Sequence, residues 1–396
     1  MRYCLRSLLG CVVIAVNLVL VACAQNHAGG VMMADVSADG RYVVTSHKDN
    51  AFVLWDVESQ SHSTISTDAN IYSAHYSRYS DRFFWQDLDG RICSMSPLSG
   101  RSSAECINNR PVYGQVYIDP KGLHFFSDEY WYIETVEGRK LKRDDQVRSF
   151  YGAGKLLNLE GSPSGDRILS VGMPLKSGDE KPLEGQSSVD PEQRFSNFSG
   201  LVVWDLDRFE PIARMAGHNV KTHATFSPDG KYVVSVDENG LGFVWDAYDG
   251  SKVSRLARPG SGVWVGDDHP DPFGAPEEEV YDFEGIHIES ADARPDDFSN
   301  YGMVSVQFIS DTQYLLFFYN QRYAVIHELG DPFPQKFLDL GNRPHPSTGS
   351  YLRNASIASA PEAGILVTGQ QSGNGINVYR FDEETKELER IWAPRR

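Results

Sequence analysis

The chain has 396 residues, 41% hydrophobic and 12% aromatic, which supplies a sizeable core and excludes disorder throughout. Its 35 Gly and 20 Pro suit a turn-rich β architecture better than a helical bundle. With 54 acidic against 37 basic residues the formal net charge is −17, a field that repels nucleic acid and anionic head groups and argues against nonspecific nucleic-acid binding.

The first element in chain order reads as a sorting signal, not as part of the fold. Arg2 and Arg6 precede an apolar stretch from Leu8 to Ala22 that only Asn17 interrupts. It is short for a membrane span, which needs roughly 18 apolar residues, and has the proportions of a secretory signal. It ends in Leu20-Val21-Ala22-Cys23, which closely resembles the bacterial lipobox. That resemblance implies removal of residues 1–22, acylation of Cys23, and a short anchor linker over 23–30. Ala24 stands where inner-membrane lipoproteins usually carry Asp, which favours the outer membrane, facing the periplasm. The other reading is an ordinary signal peptide with an accidental cysteine.

From residue 31 the chain repeats itself. Ser37-Ala38-Asp39-Gly40-Arg41-Tyr42-Val43-Val44 is matched by Ser227-Pro228-Asp229-Gly230-Lys231-Tyr232-Val233-Val234, and less closely by Ser162 to Ser170. Each stretch leads to a strand ending in Trp-Asp, at Trp55-Asp56, Trp245-Asp246 and Trp204-Asp205, and Gly217-His218 precedes the second. This pattern resembles the WD-repeat family. Weaker turns at Ser80-Asp81, Lys121-Gly122, Asp311-Thr312 and Glu362-Ala363 continue it. The early spacing of about 41 residues is the period of a four-stranded propeller blade. The expectation is an all-β, seven-bladed β-propeller of four-stranded antiparallel blades over residues 31–392, with two long loop insertions.

A single blade cannot cover both of its apolar faces, whereas radial stacking buries both. Trp55, Trp204 and Trp245 are therefore expected in the core between blades. The family often links His, Ser or Thr, Asp and this Trp in a buried hydrogen-bonded network. Here His218 keeps the Gly-His form, Asp49 fits the turn Asp of the first blade, and Asn239 stands at the corresponding place in the fifth. The implied network is incomplete and structural. Many relatives close the ring with an N-terminal strand, but here the last blade has its own outer strand in Glu387-Leu388-Glu389-Arg390-Ile391-Trp392.

In the second repeat, Cys93 and Cys106 are the cysteines left once the signal and the lipid take the others. Their strands flank Leu98-Ser99-Gly100-Arg101, and pairing about that turn sets them opposite. In an oxidising compartment a disulfide is the expected state, with two free buried thiols as the alternative.

The insertions cover residues 173–199 and 259–302. Strand alternation brings both out on one face, where long loops are usually functional or disordered. The second carries twelve acidic residues against Arg294 alone. Asp267, Asp268, Glu277, Glu278 and Glu279 can steer a basic protein partner, and Trp264 and Phe273 can anchor it. A solvated acidic excursion with its own packing accounts for the same residues, and the stretch has room for an eighth blade. A calcium site at Asp267, Asp268 and Asp271 lacks EF-hand spacing.

The sequence holds no G-x-S-x-G, H-E-x-x-H, P-loop or dinucleotide fingerprint, so neither a catalytic residue nor a cofactor or metal site is expected. The function predicted is a lipid-anchored, periplasmic, non-catalytic protein-interaction scaffold, held at the membrane by its anchor. One alternative is a component of an outer-membrane-protein assembly or envelope complex. Another is a hydrolase or quinone-dependent enzyme that uses the central channel.

Overall fold

In the computed structural model, residues 29–106, 116–118, 125–127, 131–132, 156–172, 200–256, 263–264, 279–280, 303–340, 356–369 and 375–394 are described, apart from isolated positions within the longer spans. They form antiparallel sheets whose strands pair in sequence order. Sheet one is β1 (Val31–Val36), β2 (Tyr42–His47), β3 (Phe52–Asp56) and β4 (Ser61–Ser66). Sheet two is β5 (His75–Ser77), β6 (Arg82–Gln86), β7 (Ile92–Met95) and β8 (Glu105–Cys106). Sheet three, among the described residues, is β9 (Val116–Ile118), β10 (Phe125–Ser127) and β11 (Trp131–Tyr132).

Sheet four is β12 (Leu156–Gly161), β13 (Arg167–Gly172), β14 (Gly200–Asp205) and β15 (Glu210–Met215). Sheet five is β16 (Thr222–Phe226), β17 (Tyr232–Asp237), β18 (Gly242–Asp246) and β19 (Lys252–Leu256). A two-residue pairing joins β20 (Val263–Trp264) to β21 (Glu279–Val280). Sheet six is β22 (Met303–Phe308), β23 (Gln313–Phe318), β24 (Tyr323–Glu328) and β25 (Lys336–Asp339). Sheet seven is β26 (Ile357–Ala360), β27 (Ile365–Gly369), β28 (Ile376–Asp382) and β29 (Glu387–Trp392).

The structure corrects the expected seven blades: six four-stranded blades are formed among the described residues. Among the described residues, the segment that the even spacing assigned to a third blade supplies three strands of two or three residues. Lys121-Gly122 keeps the spacing of the turn but not its Ser and Asp, and no Trp-Asp strand follows it, so spacing alone carried the expected third blade.

Side-chain bonding explains why the well-formed turns recur. The Ser37 hydroxyl donates to Asp39 Oδ1 at 2.5 Å and accepts from Tyr42 N at 2.9 Å, while Arg41 N donates to Asp39 at 3.0 Å. Ser227, Asp229, Lys231 and Tyr232 repeat this, with Ser227 to Asp229 at 2.7 Å and the other two bonds at 3.0 Å. Gly40 and Gly230 both take φ of 70°, a left-handed conformation that a Cβ disfavours. At the far end of the repeat, the Asp of Trp-Asp caps the next turn. Asp56, Asp205 and Asp246 each accept from backbone N–H groups two and three residues on, and Asp382, which follows Phe381, does the same.

The core lies between sheets, as radial stacking requires. First strands of neighbouring sheets lie together: β1 against β5, β5 against β9, β12 against β16, β16 against β22, and β22 against β26. The return contact is β26 against β1. Val36, Val43, Val53 and Trp55 meet Ala360, Val367 and Val378 there, and Trp392 packs edge-on to Trp55 at 6.2 Å. Because β29 completes sheet seven from the chain's own C-terminal side, this seam closes by packing without an exchanged strand.

Candidate functional site

The polar residues that the repeat buries form directed hydrogen-bonded chains. In sheet five, Trp245 Nε1 donates to Ser235 Oγ at 2.7 Å, Ser235 Oγ lies 2.8 Å from His218 Nε2, and His218 Nδ1 lies 3.0 Å from Asp237 Oδ2. A carboxylate only accepts, so His218 carries its proton on Nδ1 and Nε2 accepts from the serine. The chain thus runs Trp to Ser to His to Asp, with every member buried. Gly217 leaves room for it, since a Cβ there would stand 3.1 Å from Phe243 and 3.2 Å from Trp245.

Asp237, rather than the Asn239 position, ends this chain, and the turn phase read from the sequence missed it by two residues. In sheet one the place of Asp237 is taken by His47. Trp55 Nε1 donates to Thr45 at 2.8 Å, Thr45 Oγ1 lies 2.8 Å from His47 Nε2, and His47 Nδ1 donates to the Gly29 carbonyl at 3.0 Å. Asp49 is exposed in the turn that follows. In sheet four, Trp204 Nε1 donates to Ser170 at 2.8 Å, and Gly172 stands in the third place.

Sheet six departs from the rule. His327 faces Tyr314 across β23 and β24 in the register that pairs Trp55 with Val43 and Trp245 with Val233. Two residues on, where the tryptophans find Thr45, Ser170 or Ser235, stands Leu316. Both ring nitrogens of His327 and the Tyr314 hydroxyl are buried without a hydrogen-bond partner among the described residues. The two rings stack at 5.7 Å. Burial depresses the His327 pKa to about 3 and raises that of Tyr314.

Cys93 and Cys106 lie directly opposite across β7 and β8, with their sulfurs 1.94 Å apart, at disulfide distance. Asp87 is beside them, and the three form the one grouping with metal-ligand proximity among the described residues. Its donors are committed elsewhere. The sulfurs bond each other, and the Asp87 carboxylate accepts from Arg91 N at 2.8 Å and Arg91 Nε at 2.7 Å.

Inner strands carry a second recurrent contact that sequence reasoning missed. Asp35 on β1 accepts from Tyr76 N of sheet two at 2.6 Å, and Glu160 on β12 accepts from Phe226 N of sheet five at 3.1 Å and from the Thr225 hydroxyl. Burial raises Asp35 to about 6 and Glu160 to about 7, against the lowering effect of those donors and of Arg78. The signal in the sequence was a carboxylate in an otherwise apolar inner strand.

Of the residues expected to meet a partner, Asp267, Asp268, Phe273, Glu277 and Glu278 lie outside the described residues, as does Cys23. Trp264 and Glu279 pair through their backbones. Register nonetheless fixes where the insertions leave the ring. Gly172 pairs with Gly200, and Gly242 pairs with both Val236 and Leu256, so both insertions depart from the same end of adjacent sheets.

Comparison with known proteins places this architecture. The WD domain, G-beta repeat family matches residues 19–56 and 209–246, which include the Trp55 and Trp245 strands. A 58-residue stretch is 40% identical to Ribosome assembly protein 4 of Saccharomyces cerevisiae, covering 14% of this chain and 11% of that protein. Among solved structures, the Cps50 (Swd1) β-propeller domain of Myceliophteria thermophila superposes with a TM-score of 0.52 at 12% identity, over 86% of this chain and 92% of that one. At that identity the likeness shows the fold alone.

Proposed function

We propose that this WD-repeat propeller is a non-catalytic protein-interaction scaffold, anchored through Cys23 to the periplasmic side of a bacterial outer membrane. The observation that carries the reading is how the repeats use their polar groups. Trp55, Trp204, Trp245, His218 and Asp237 are buried and bonded to one another or to neighbouring Ser and Thr side chains. They hold blades together and are not presented to a substrate. The propeller fold and its two repeats support a protein partner in turn. The yeast relative supports the repeat alone, since so little of it is covered.

The partner face is the one from which both insertions depart. Two long connections from neighbouring sheets emerge together there, and one of them concentrates the acidity of the chain. That charge favours a basic partner. Crosslinking and pull-down from membranes, with the full chain and a variant whose 259–302 segment is replaced by a short Gly-Ser linker, tests the reading. A folded deletion variant that still captures the same protein at full affinity moves the site elsewhere. A Cys23→Ala variant that stays membrane-bound after salt washing removes the anchor.

A further inference from the structure

The chain enters the propeller on the face from which the insertions leave it. Val31, the first residue of β1, pairs with His47 at the end of β2, just as Leu156 pairs with Gly172 at the end of β13. The residues before β1 are pinned at the same place. The Gly29 carbonyl accepts from His47 Nδ1 at 3.0 Å, and the Gly30 carbonyl accepts from Lys48 N at 3.0 Å. Gly29 lies so close to the turn after β2 that a Cβ on it would stand 2.5 Å from Asp49 N and 2.7 Å from Lys48 Cβ. The entry point is therefore fixed.

That point is also near the centre of the ring. β1 is the first strand of sheet one and packs against the first strands of sheets two and seven. The outer strand of that sheet, β4, lies three strand spacings away, about 14 Å. β1 itself runs 6 residues, about 20 Å, to the turn on the opposite face.

From Cys23 to Gly29 the chain can span at most about 20 Å, whatever path it takes. With Cys23 lipidated, this bounds how the propeller sits. An edge-on ring makes the linker cross most of a sheet before it reaches lipid. A ring turned the other way makes it run the full height of β1, which uses the whole span. With the insertion side toward the bilayer the linker runs straight to the membrane. We propose that the propeller hangs face-on, its axis close to the membrane normal and its insertion-side face turned to the bilayer. This orientation rests on the anchor at Cys23 and restricts the partner of that face. A gap of about 20 Å is too narrow for a folded domain of about 100 residues, whose radius of gyration alone is about 13 Å. It admits a segment projecting from a protein embedded in the same membrane. The net charge of −17 opposes contact with anionic head groups themselves.

The full lipidated chain, reconstituted in phosphatidylethanolamine–phosphatidylglycerol vesicles with an acceptor dye on the head groups, tests the orientation. Donor dyes are placed on Lys48→Cys, exposed on the insertion side, and on Glu58→Cys and Asp207→Cys, exposed at equivalent places in the opposite-face turns of sheets one and four. Energy transfer should be several-fold stronger from K48C than from E58C or D207C, and alike for those two. Transfer from E58C equal to that from K48C, with D207C weaker, means an edge-on ring. Transfer strongest from either turn variant means an inverted one, and both results overturn the proposal. A chain that does not enter the vesicles overturns the anchor itself, and the orientation with it. A cleavable crosslinker on K48C in native membranes tests the partner class. The protein released on cleavage should stay in the membrane through an alkaline wash, and a protein that washes out, or no product, overturns that class.

Discussion

His218 Nδ1 and Asp237 Oδ2 stand 3.0 Å apart in a fully buried setting, and the bond ties the connection between sheets four and five to the end of β17. His218→Ala takes one hydrogen-bond partner from the buried Asp237 carboxylate, whose Oδ1 also accepts from Leu241 N at 2.9 Å. It should cost about 1–3 kcal/mol, the usual range when a buried polar group loses a hydrogen-bond partner. Denaturant midpoints equal to wild type would show that the chain of bonds adds nothing.

Arg167 links the same two sheets by other means. It is 5% exposed, donates from Nη2 to the Gly230 carbonyl at 2.8 Å, and lies 4.3 Å from the Tyr248 ring centre. A guanidinium meets a carbonyl and an aromatic face at once, which an ammonium cannot. Arg167→Lys should therefore recover little of the roughly 2–4 kcal/mol that Arg167→Ala loses. Full recovery in thermal melts would reduce the contact to simple charge.

The pair Cys93 and Cys106 closes a loop with a sequence separation of 13. In the chain-entropy account such a loop contributes about 3 kcal/mol. Reduction should lower the stability by that order. Thiol labelling of denatured, unreduced protein should find neither cysteine free, and labelling of both would dismiss the disulfide.

What the sequence disclosed depended on whether a residue's role is local. Ser37 and Asp39 make a turn within six residues, so their copy at Ser227 and Asp229 is visible by eye. The Trp-Asp strands were legible because one side chain packs and the next caps a turn. Asp237 was missed because its role depends on His218, 19 residues earlier, and on a register that the turn alone does not set. Asp35 and Glu160 were missed for a related reason. Their donors lie 41 and 66 residues away, in the next sheet of the fold. The blade count failed where spacing was taken to stand for bonding: Lys121-Gly122 kept the interval without the Ser and Asp that hold the turn together.

For the acidic insertion the expected signature is kinetic. Changing Glu277, Glu278 and Glu279 together to Gln should slow association with a basic partner and leave dissociation nearly unchanged. The effect should vanish near 1 M salt, where the Debye length is about 3 Å. Trp264→Ala or Phe273→Ala should instead speed dissociation, because desolvated aromatic anchors commonly contribute about 2 kcal/mol or more. Surface-binding kinetics that show the triple Gln variant altering only dissociation would rule out steering.

His327 offers a test in which removing a polar side chain should stabilise the fold. It takes the Trp place of its repeat, but Leu316 replaces the hydroxyl that would have bonded it, and its nitrogens find no partner among the described residues. An unmet buried donor costs about 1–3 kcal/mol. His327→Phe keeps the stacking on Tyr314 and removes that cost, so it should raise stability by about this amount at pH 7.5. Acid should widen the gap. Burial holds the folded pKa near 3, below the unfolded value of about 6.5, so the folded state carries fewer protons between those limits. Stability tied to this residue is therefore complete above pH 6.5 and declines as pH falls, by at most about 1.4 kcal/mol per unit. Unfolding midpoints at pH 4.5 and 7.5 measure both effects. If wild type and His327→Phe respond to acid in parallel, His327 is bonded or hydrated in solution, and its isolation in the core is refuted.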